Sequence, residues 1–271
     1  MPELPEVETT VRGLRPVLEG RRLTRVEPRR ADLRHAIPPD LRQRLTGAVV
    51  TQLGRRAKYG LIDTDRGDTL IFHLGMSGRW RIDPDEIGKH DHLLLETDAS
   101  HRLALNDPRR FGSLDLVPTE TLEDFPAFKA LGPEPLGPAL TTHYLAEKLD
   151  GRTAPIKLLL LDQRVIAGLG NIYVCEALNL ARINPRKSGG ALSGMALQRL
   201  IEAIPKVLNA AIDAGGSTLR DYARPDGELG YFSSQFRVYG REGEKCPYDG
   251  GTIRRQVDGG RSTFWCPKCQ R

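Results

Sequence analysis

The segment Gly132-Pro133-Glu134-Pro135-Leu136-Gly137-Pro138 constrains the fold of this chain more than any other stretch. Proline removes a backbone donor and glycine adds backbone freedom, so neither helix nor sheet runs through it and it reads as a linker. The hydrophobic pattern differs on its two sides. Before it come short strand-like runs at Arg22–Glu27, Val49–Leu53, Tyr59–Thr64, Thr69–Leu74, Arg79–Ile82, His92–Thr97, Arg102–Leu105 and Ser113–Val117. Strands this short, broken by Gly, Asp and Pro, predict a β-sandwich or barrel. One helix precedes them: Leu4, Val7, Val11, Leu14 and Leu18 share a face, with Pro16 bending or ending the helix nearby. After the linker the pattern turns helical at Thr142–Leu149, Pro155–Leu161, Ile172–Ala181 and Gly194–Ala214. A polar loop over Gly215–Ser234 and a small cysteine-bearing β module close the chain.

At 271 residues the chain is long enough for two modest cores. Lys and Arg total 40 against 35 acidic residues, a net charge of +5. That balance is compatible with nucleic acid without requiring it. No run approaches the ~20 apolar residues of a membrane span, and the start is acidic rather than a basic leader. The expectation is an intracellular, cytoplasmic protein without a membrane partner. Three of the four cysteines, Cys246, Cys266 and Cys269, lie near the end of the chain, which favours metal ligation over a disulfide framework.

Several motifs carry chemistry. The opening Met1-Pro2-Glu3-Leu4-Pro5-Glu6 exposes a secondary amine at Pro2 once the initiator Met is removed, with carboxylates of Glu3 and Glu6 nearby. An α-amine titrates near pH ~8, so a useful fraction is neutral and nucleophilic. Attack on a sugar C1′ would give an iminium that opens elimination chemistry. The competing reading is a plain helix start, with proline and acids in the first turn. Cys246-Pro247-Tyr248-Asp249 and Cys266-Pro267-Lys268-Cys269 outline a zinc ribbon or finger, although Asp249 occupies the place of a fourth cysteine. A metal-free hairpin is the alternative. Gly168-Leu169-Gly170-Asn171 before a helix is a phosphate-binding turn or an ordinary one. Asp107-Pro108-Arg109-Arg110-Phe111-Gly112 offers an aromatic between cations, either a wedge for a base stack or a turn with an inward Phe. Met76 is a second wedge or a core filler, and Arg55-Arg56-Ala57-Lys58-Tyr59 a phosphate or proton-transfer site or a solvated edge. His90 and His92 share one strand face, with no third ligand evident.

Together these segments resemble the bacterial formamidopyrimidine-DNA glycosylase family. The likeness runs along nearly the whole chain, from Met1-Pro2-Glu3-Leu4-Pro5-Glu6-Val7-Glu8 through Arg56-Ala57-Lys58-Tyr59, His73-Leu74-Gly75-Met76-Ser77-Gly78, Lys89-His90-Asp91-His92 and Asp107–Gly112. It continues in Gly170-Asn171-Ile172-Tyr173, Asp226-Gly227-Glu228-Leu229-Gly230-Tyr231-Phe232, Tyr239-Gly240-Arg241-Glu242-Gly243 and the finger frame. The resemblance implies an α+β multidomain fold. Its parts are an N-terminal β-sandwich with flanking helices over 1–134, a helix-two-turn-helix domain over 135–235 and a β-hairpin zinc finger over 236–271. It implies a bifunctional DNA glycosylase and abasic-site lyase of base excision repair, acting as a monomer. The implied partner is double-stranded DNA containing oxidised purines, chiefly 8-oxoguanine and formamidopyrimidines, or abasic sites.

By matching motif, Pro2 resembles the family's Schiff-base nucleophile, Glu3 the acid that protonates the opened sugar, and Glu6 a further catalytic carboxylate. Lys58 resembles the proton donor of β-elimination and Arg261 that of δ-elimination. Met76, Arg109 and Phe111 would fill the gap left by a flipped base. His90, Arg109 and Arg152 would contact DNA, and Lys157 with Asn171 would grip phosphates. The 215–234 loop, with Ser217, Thr218, Tyr222 and Tyr231, would cover the everted base. One structural Zn2+ is expected on Cys246, Cys266 and Cys269, with Asp249 or a water completing the set. Asp249 and Cys175 depart from the family pattern, and no role attaches to Cys175. Two rivals remain open: an oxidised-pyrimidine enzyme of the endonuclease VIII branch, and a non-catalytic zinc-dependent DNA-binding protein that would need neither Pro2 nor Glu3.

Overall fold

A computed structural model of the chain describes residues 2–217, 224–228 and 230–271. It divides into two compact units, Met1–Lys129 with Ala214–Tyr231, and Ala130–Asp213 with Phe232–Arg271.

The first unit begins with helix α1 (Leu4–Leu18), which continues through Pro16 and stops two residues later. Strand β1 (Leu23–Pro28) and a short helix α2 (Leu41–Leu45) follow. Then come β2 (Val50–Arg56), β3 (Tyr59–Thr64), β4 (Asp68–His73), β5 (Arg79–Ile82), β6 (Asp91–Thr97), β7 (Arg102–Asn106) and β8 (Ser113–Pro118), and a last short helix α3 (Pro126–Lys129). The strands form two antiparallel four-stranded sheets, in the orders β1-β6-β7-β5 and β2-β3-β4-β8. The expected strands are present, and β2 extends three residues beyond its expected end to pair Arg56 with Tyr59. Helices α2 and α3 were not expected, because one turn of apolar residues sets no readable period.

One core joins these pieces: Val7, Val11 and Leu14 of α1 pack in the same cluster as Leu53, Leu70, Phe72, Trp80, Leu95 and Leu105 from both sheets. Phe72 and Trp80 meet edge to face across the sheets, with ring centroids 5.6 Å apart, an arrangement that adds to area burial. The Phe72 ring lies over Gly60, where an added Cβ would stand 2.0 Å from Cζ. Only a residue without a side chain fits beneath it.

The segment 214–231, which a linear reading attaches to the helical half, belongs to the first unit. The reason is local: Ser217 donates both N–H and hydroxyl to Glu6, Ile82 N–H donates to Pro225 O, and the Pro225 ring packs over Gly13.

The second unit holds α4 (Thr142–Leu149), α5 (Ile156–Leu161), α6 (Asn171–Leu180) and the 20-residue α7 (Gly194–Asp213). A hairpin of β9 (Arg254–Asp258) and β10 (Arg261–Trp265) completes it. Helix α4 starts where the Thr141 hydroxyl accepts Tyr144 N–H. The proline-rich linker lies against this unit, with Gly132 N–H on Gln163 O and Ala167 N–H on Pro133 O. Among the described residues no helix is long and apolar enough to cross a membrane.

Replacing Gly60 by Ala should force the Phe72 ring out of its rotamer. Overpacking of this kind costs ~1–3 kcal/mol, to be read as a lowered urea midpoint with an unchanged m-value.

Candidate active site and metal centre

The start of α1 is built around two carboxylates. Glu3 is the N-cap, and a reciprocal capping box links it to Glu6: each side chain accepts the backbone N–H of the other. The Glu3 N–H to Glu6 Oε2 distance is 2.8 Å. Glu6 Oε1 accepts the N–H and hydroxyl of Ser217 at 2.8 and 2.9 Å. Glu3 and Glu6 are both buried, at 2% and 1% exposure, and Pro2 is buried beside them. The geometry makes Glu6, expected as a further catalytic carboxylate, a brace between the helix start and Ser217. Thr218 and Tyr222 lie outside the described residues. Tyr231 is 67% exposed and its N–H donates to Ala214 O.

Lys58 sits in the two-residue turn between β2 and β3, where Ala57 takes a positive φ of 53°. Close enough for its charge to act on the ring is His73 of β4, a motif residue to which no role attached. Burial pushes the His73 pKa down to about 4, with the charges of Lys58 and Arg34 acting in the same direction. The ring is therefore neutral at pH 7. Its Nδ1 accepts Gly75 N–H at 3.0 Å, which leaves the proton on Nε2. Its only readable signal was its place at the head of the His73–Gly78 motif.

Met76, Arg109 and Phe111 are brought together, with His73 and Arg34, around one cleft of about 690 Å³. Phe111 is 45% exposed, so it does not pack inward, and the Arg109 guanidinium lies 4.9 Å from its ring centroid. Met76 is half-buried rather than a core residue. His90 and His92 diverge: His92 is buried with Nε2 2.9 Å from Asp107 O, and His90 is only partly covered.

In the second unit, Gly170 caps α6 and Gly168 has a φ of +80°. Gln163 clamps the turn, accepting Gly168 N–H and donating to Leu169 O. Asn171 Nδ2 donates to Ser262 O at 2.9 Å, and its Oδ1 is buried without a hydrogen-bond partner. Lys157 differs from the expected phosphate ligand. It is fully buried, and its ammonium donates to Thr263 Oγ1 at 2.7 Å, Ser262 O at 3.1 Å and Arg261 O at 3.5 Å. Burial pushes its pKa down, and a buried ammonium is tolerated only when its donors are satisfied. Lys157 thus supports the hairpin from within. Gly259 and Gly260, both at positive φ, close that hairpin, as a two-residue turn matched to strand twist requires. Arg261 starts β10 and is exposed, as is Arg152.

The ligand atoms of Cys246, Asp249, Cys266 and Cys269 lie within 4.8 Å of one another. Cys246 and Cys269 sulfurs are 3.9 Å apart, and Cys266 Sγ is 3.4 Å from Asp249 Oδ1. A tetrahedral ion with Zn–S bonds of ~2.3 Å has sulfur–sulfur edges of ~3.8 Å, so the donor set fits such an ion. Burial and the nearby Cys246 push the Cys269 thiol up to about 12, and burial raises Cys266 as well. A divalent cation would reverse that cost. The Gly251 N–H holds the Asp249 carboxyl below its usual range. Behind the cluster, Gln270 Oε1 accepts Cys266 N–H and Asn179 Nδ2. Cys175 packs in the same apolar cluster as Val238, Ile253 and Phe264, consistent with a small apolar residue.

Comparison with known proteins gives three matches along the chain. Residues 1–114 match the formamidopyrimidine-DNA glycosylase N-terminal domain, residues 131–223 the formamidopyrimidine-DNA glycosylase H2TH domain, and residues 243–271 the zinc finger found in Fpg and isoleucyl-tRNA synthetase. A formamidopyrimidine-DNA glycosylase of Rhizorhabdus wittichii is 71% identical over the whole of both chains, and one of Novosphingobium aromaticivorans 66%. Among solved structures, the MutM (Fpg) protein of Thermus thermophilus superposes with a TM-score of 0.87 at 39% identity, covering 99% of this chain and 98% of that one. Lactococcus lactis Fpg in complex with DNA containing an abasic site gives 0.91 at 36% identity, with full coverage of both chains. The paired sheets, the helical body and the closing hairpin are those of these relatives, and the chain belongs to the formamidopyrimidine-DNA glycosylase family.

Proposed function

We propose that this protein is a bifunctional DNA glycosylase and abasic-site lyase that excises oxidised purines, 8-oxoguanine and formamidopyrimidines, from duplex DNA. The observation that carries the reading is the buried start of α1, where Pro2 precedes a buried Glu3 whose backbone is held by the buried Glu6. A plain helix start has no need to bury two carboxylates, because acids near an exposed N-terminus are already stabilised in water. In the proposed reaction the Pro2 nitrogen, freed by loss of Met1, attacks C1′ of an everted nucleotide. The N-glycosidic bond breaks, the base leaves with its electron pair, and Glu3 protonates the ring oxygen as the sugar opens to an iminium. Loss of a C2′ proton then expels the 3′ phosphate, and a second elimination expels the 5′ phosphate, with Lys58 and Arg261 as proton donors. Met76, Arg109 and Phe111 fill the vacated stack, and Asn171, Arg152 and His90 contact the backbone. The Lactococcus lactis relatives are described in complexes with abasic-site DNA and with Fapy-dG DNA, which supports this substrate class.

One Zn2+ held by Cys246, Asp249, Cys266 and Cys269 would cross-link the two knuckles below the hairpin that carries Arg261. Lys157 fixes the same hairpin through Arg261, Ser262 and Thr263.

On an 8-oxoguanine duplex, the protein should form a borohydride-trappable covalent adduct. Pro2→Gly should lower excision and trapping together by ~100-fold or more, the scale of a lost reacting group, while binding of lesion DNA stays within about threefold of wild type. Full excision by a protein with a blocked N-terminus would remove Pro2 from the reaction. Elemental analysis should give one zinc per chain, and a chelator should strip it faster than from an Asp249→Cys variant, because oxygen replaces a thiolate. Full activity without zinc would contradict the proposed support of Arg261.

A further inference from the structure

The three residues read as a wedge come from two separate loops. Residues 74–78 carry the chain from β4 in one sheet to β5 in the other, and residues 107–112 return it from β7 to β8. Both crossovers are bounded by the same ladder rungs, His73 with Ser113 and Arg79 with Asn106. Between those rungs neither sheet supplies a backbone bond, so side chains must set the separation of the loops.

Asp107 does so. It is 1% exposed; its Oδ1 accepts the Ser77 hydroxyl at 2.7 Å and its Oδ2 accepts Gly112 N–H at 2.8 Å. Ser77 Oγ in turn accepts Arg109 N–H at 3.3 Å. The backbones touch as well, since a Cβ on Gly75, at a φ of +60°, would stand 2.3 Å from the carbonyl carbon of Phe111. We infer that Ser77 and Asp107 are positioning residues that lock Met76, Arg109 and Phe111 into one rigid three-pronged wedge, so that all three enter the base stack together. The inference rests on the wedge reading above. Its physical basis is preorganisation: side chains offset the cost of unstacking only if they are not themselves being ordered at that moment. A loosened wedge would thus cost most where a stacked, paired base must be displaced, and little where the base is already gone.

The test compares single-turnover cleavage of an 8-oxoguanine·cytosine duplex with cleavage of the same duplex bearing a preformed abasic site. Ser77→Ala should slow the lesion duplex roughly 5- to 10-fold, the scale of one lost buried hydrogen bond, and change the abasic duplex less than about twofold. In a Phe111→Ala background the same substitution should add less than it costs alone, because only Met76 and Arg109 are left to loosen, and Ser77→Thr, which keeps the hydroxyl, should restore the wild-type ratio. If the alanine variant does not fold, Ser77→Cys, which keeps the volume but weakens the donor, must show the same selectivity. Equal losses on both duplexes, or additivity with Phe111→Ala, would overturn the inference. Phe111→Ala is the control on its premise. If that change alone leaves the ratio untouched, the wedge reading fails and this inference with it. A selective Phe111→Ala with an unselective Ser77→Ala removes only the coupling.

Discussion

The Glu6 carboxylate is the contact on which the start of the first unit, and the chemistry proposed for it, depends. One oxygen accepts the N–H of Glu3 and the other accepts two donors from Ser217, 211 residues away in sequence. A buried carboxylate is costly unless hydrogen-bonded, so this one exists where its donors are supplied and holds them in return. It fixes the backbone of residue 3, and with it the direction from which residue 2 is presented. It also returns the segment 214–231 to the unit that carries α1. In the proposed reaction, nucleophile and base-covering loop are thus braced by the same side chain.

The second unit uses the same device twice, once with a cation and once with a carboxylate. Lys157 puts a buried ammonium against three oxygens of one hairpin, and Glu176 on α6 accepts the N–H groups of Arg237, Val238 and Tyr239. Burial raises the Glu176 pKa despite those three donors. One charged group anchors the segment that enters the finger and the other anchors the strand that leaves the hairpin turn. The position of Arg261 thus depends on the buried Lys157 ammonium and the hairpin fold together.

Much of this was legible in the sequence, for identifiable reasons. The strands were readable because alternation and turn residues act locally, and the linker because three prolines admit few backbones. The metal-ligand cluster was readable because tetrahedral ligation needs its residue types at close spacing in sequence. What escaped reading depends on long-range packing. Glu6 looked like a second acid, and only Ser217, far away in sequence, makes it a brace. Lys157 matched the family's phosphate-gripping position by motif alone, and its burial is set by a hairpin a hundred residues later. His73 was hidden because its depressed pKa comes from burial between strands, which no local pattern records.

In the proposed reaction the nitrogen of residue 2 is the group that reacts. Peptide mapping by mass spectrometry, after borohydride reduction of the protein with an abasic-site duplex, tests it most directly. The reduced sugar remnant should lie on the N-terminal peptide beginning at Pro2. A remnant found instead on the peptide containing Lys58 would contradict it.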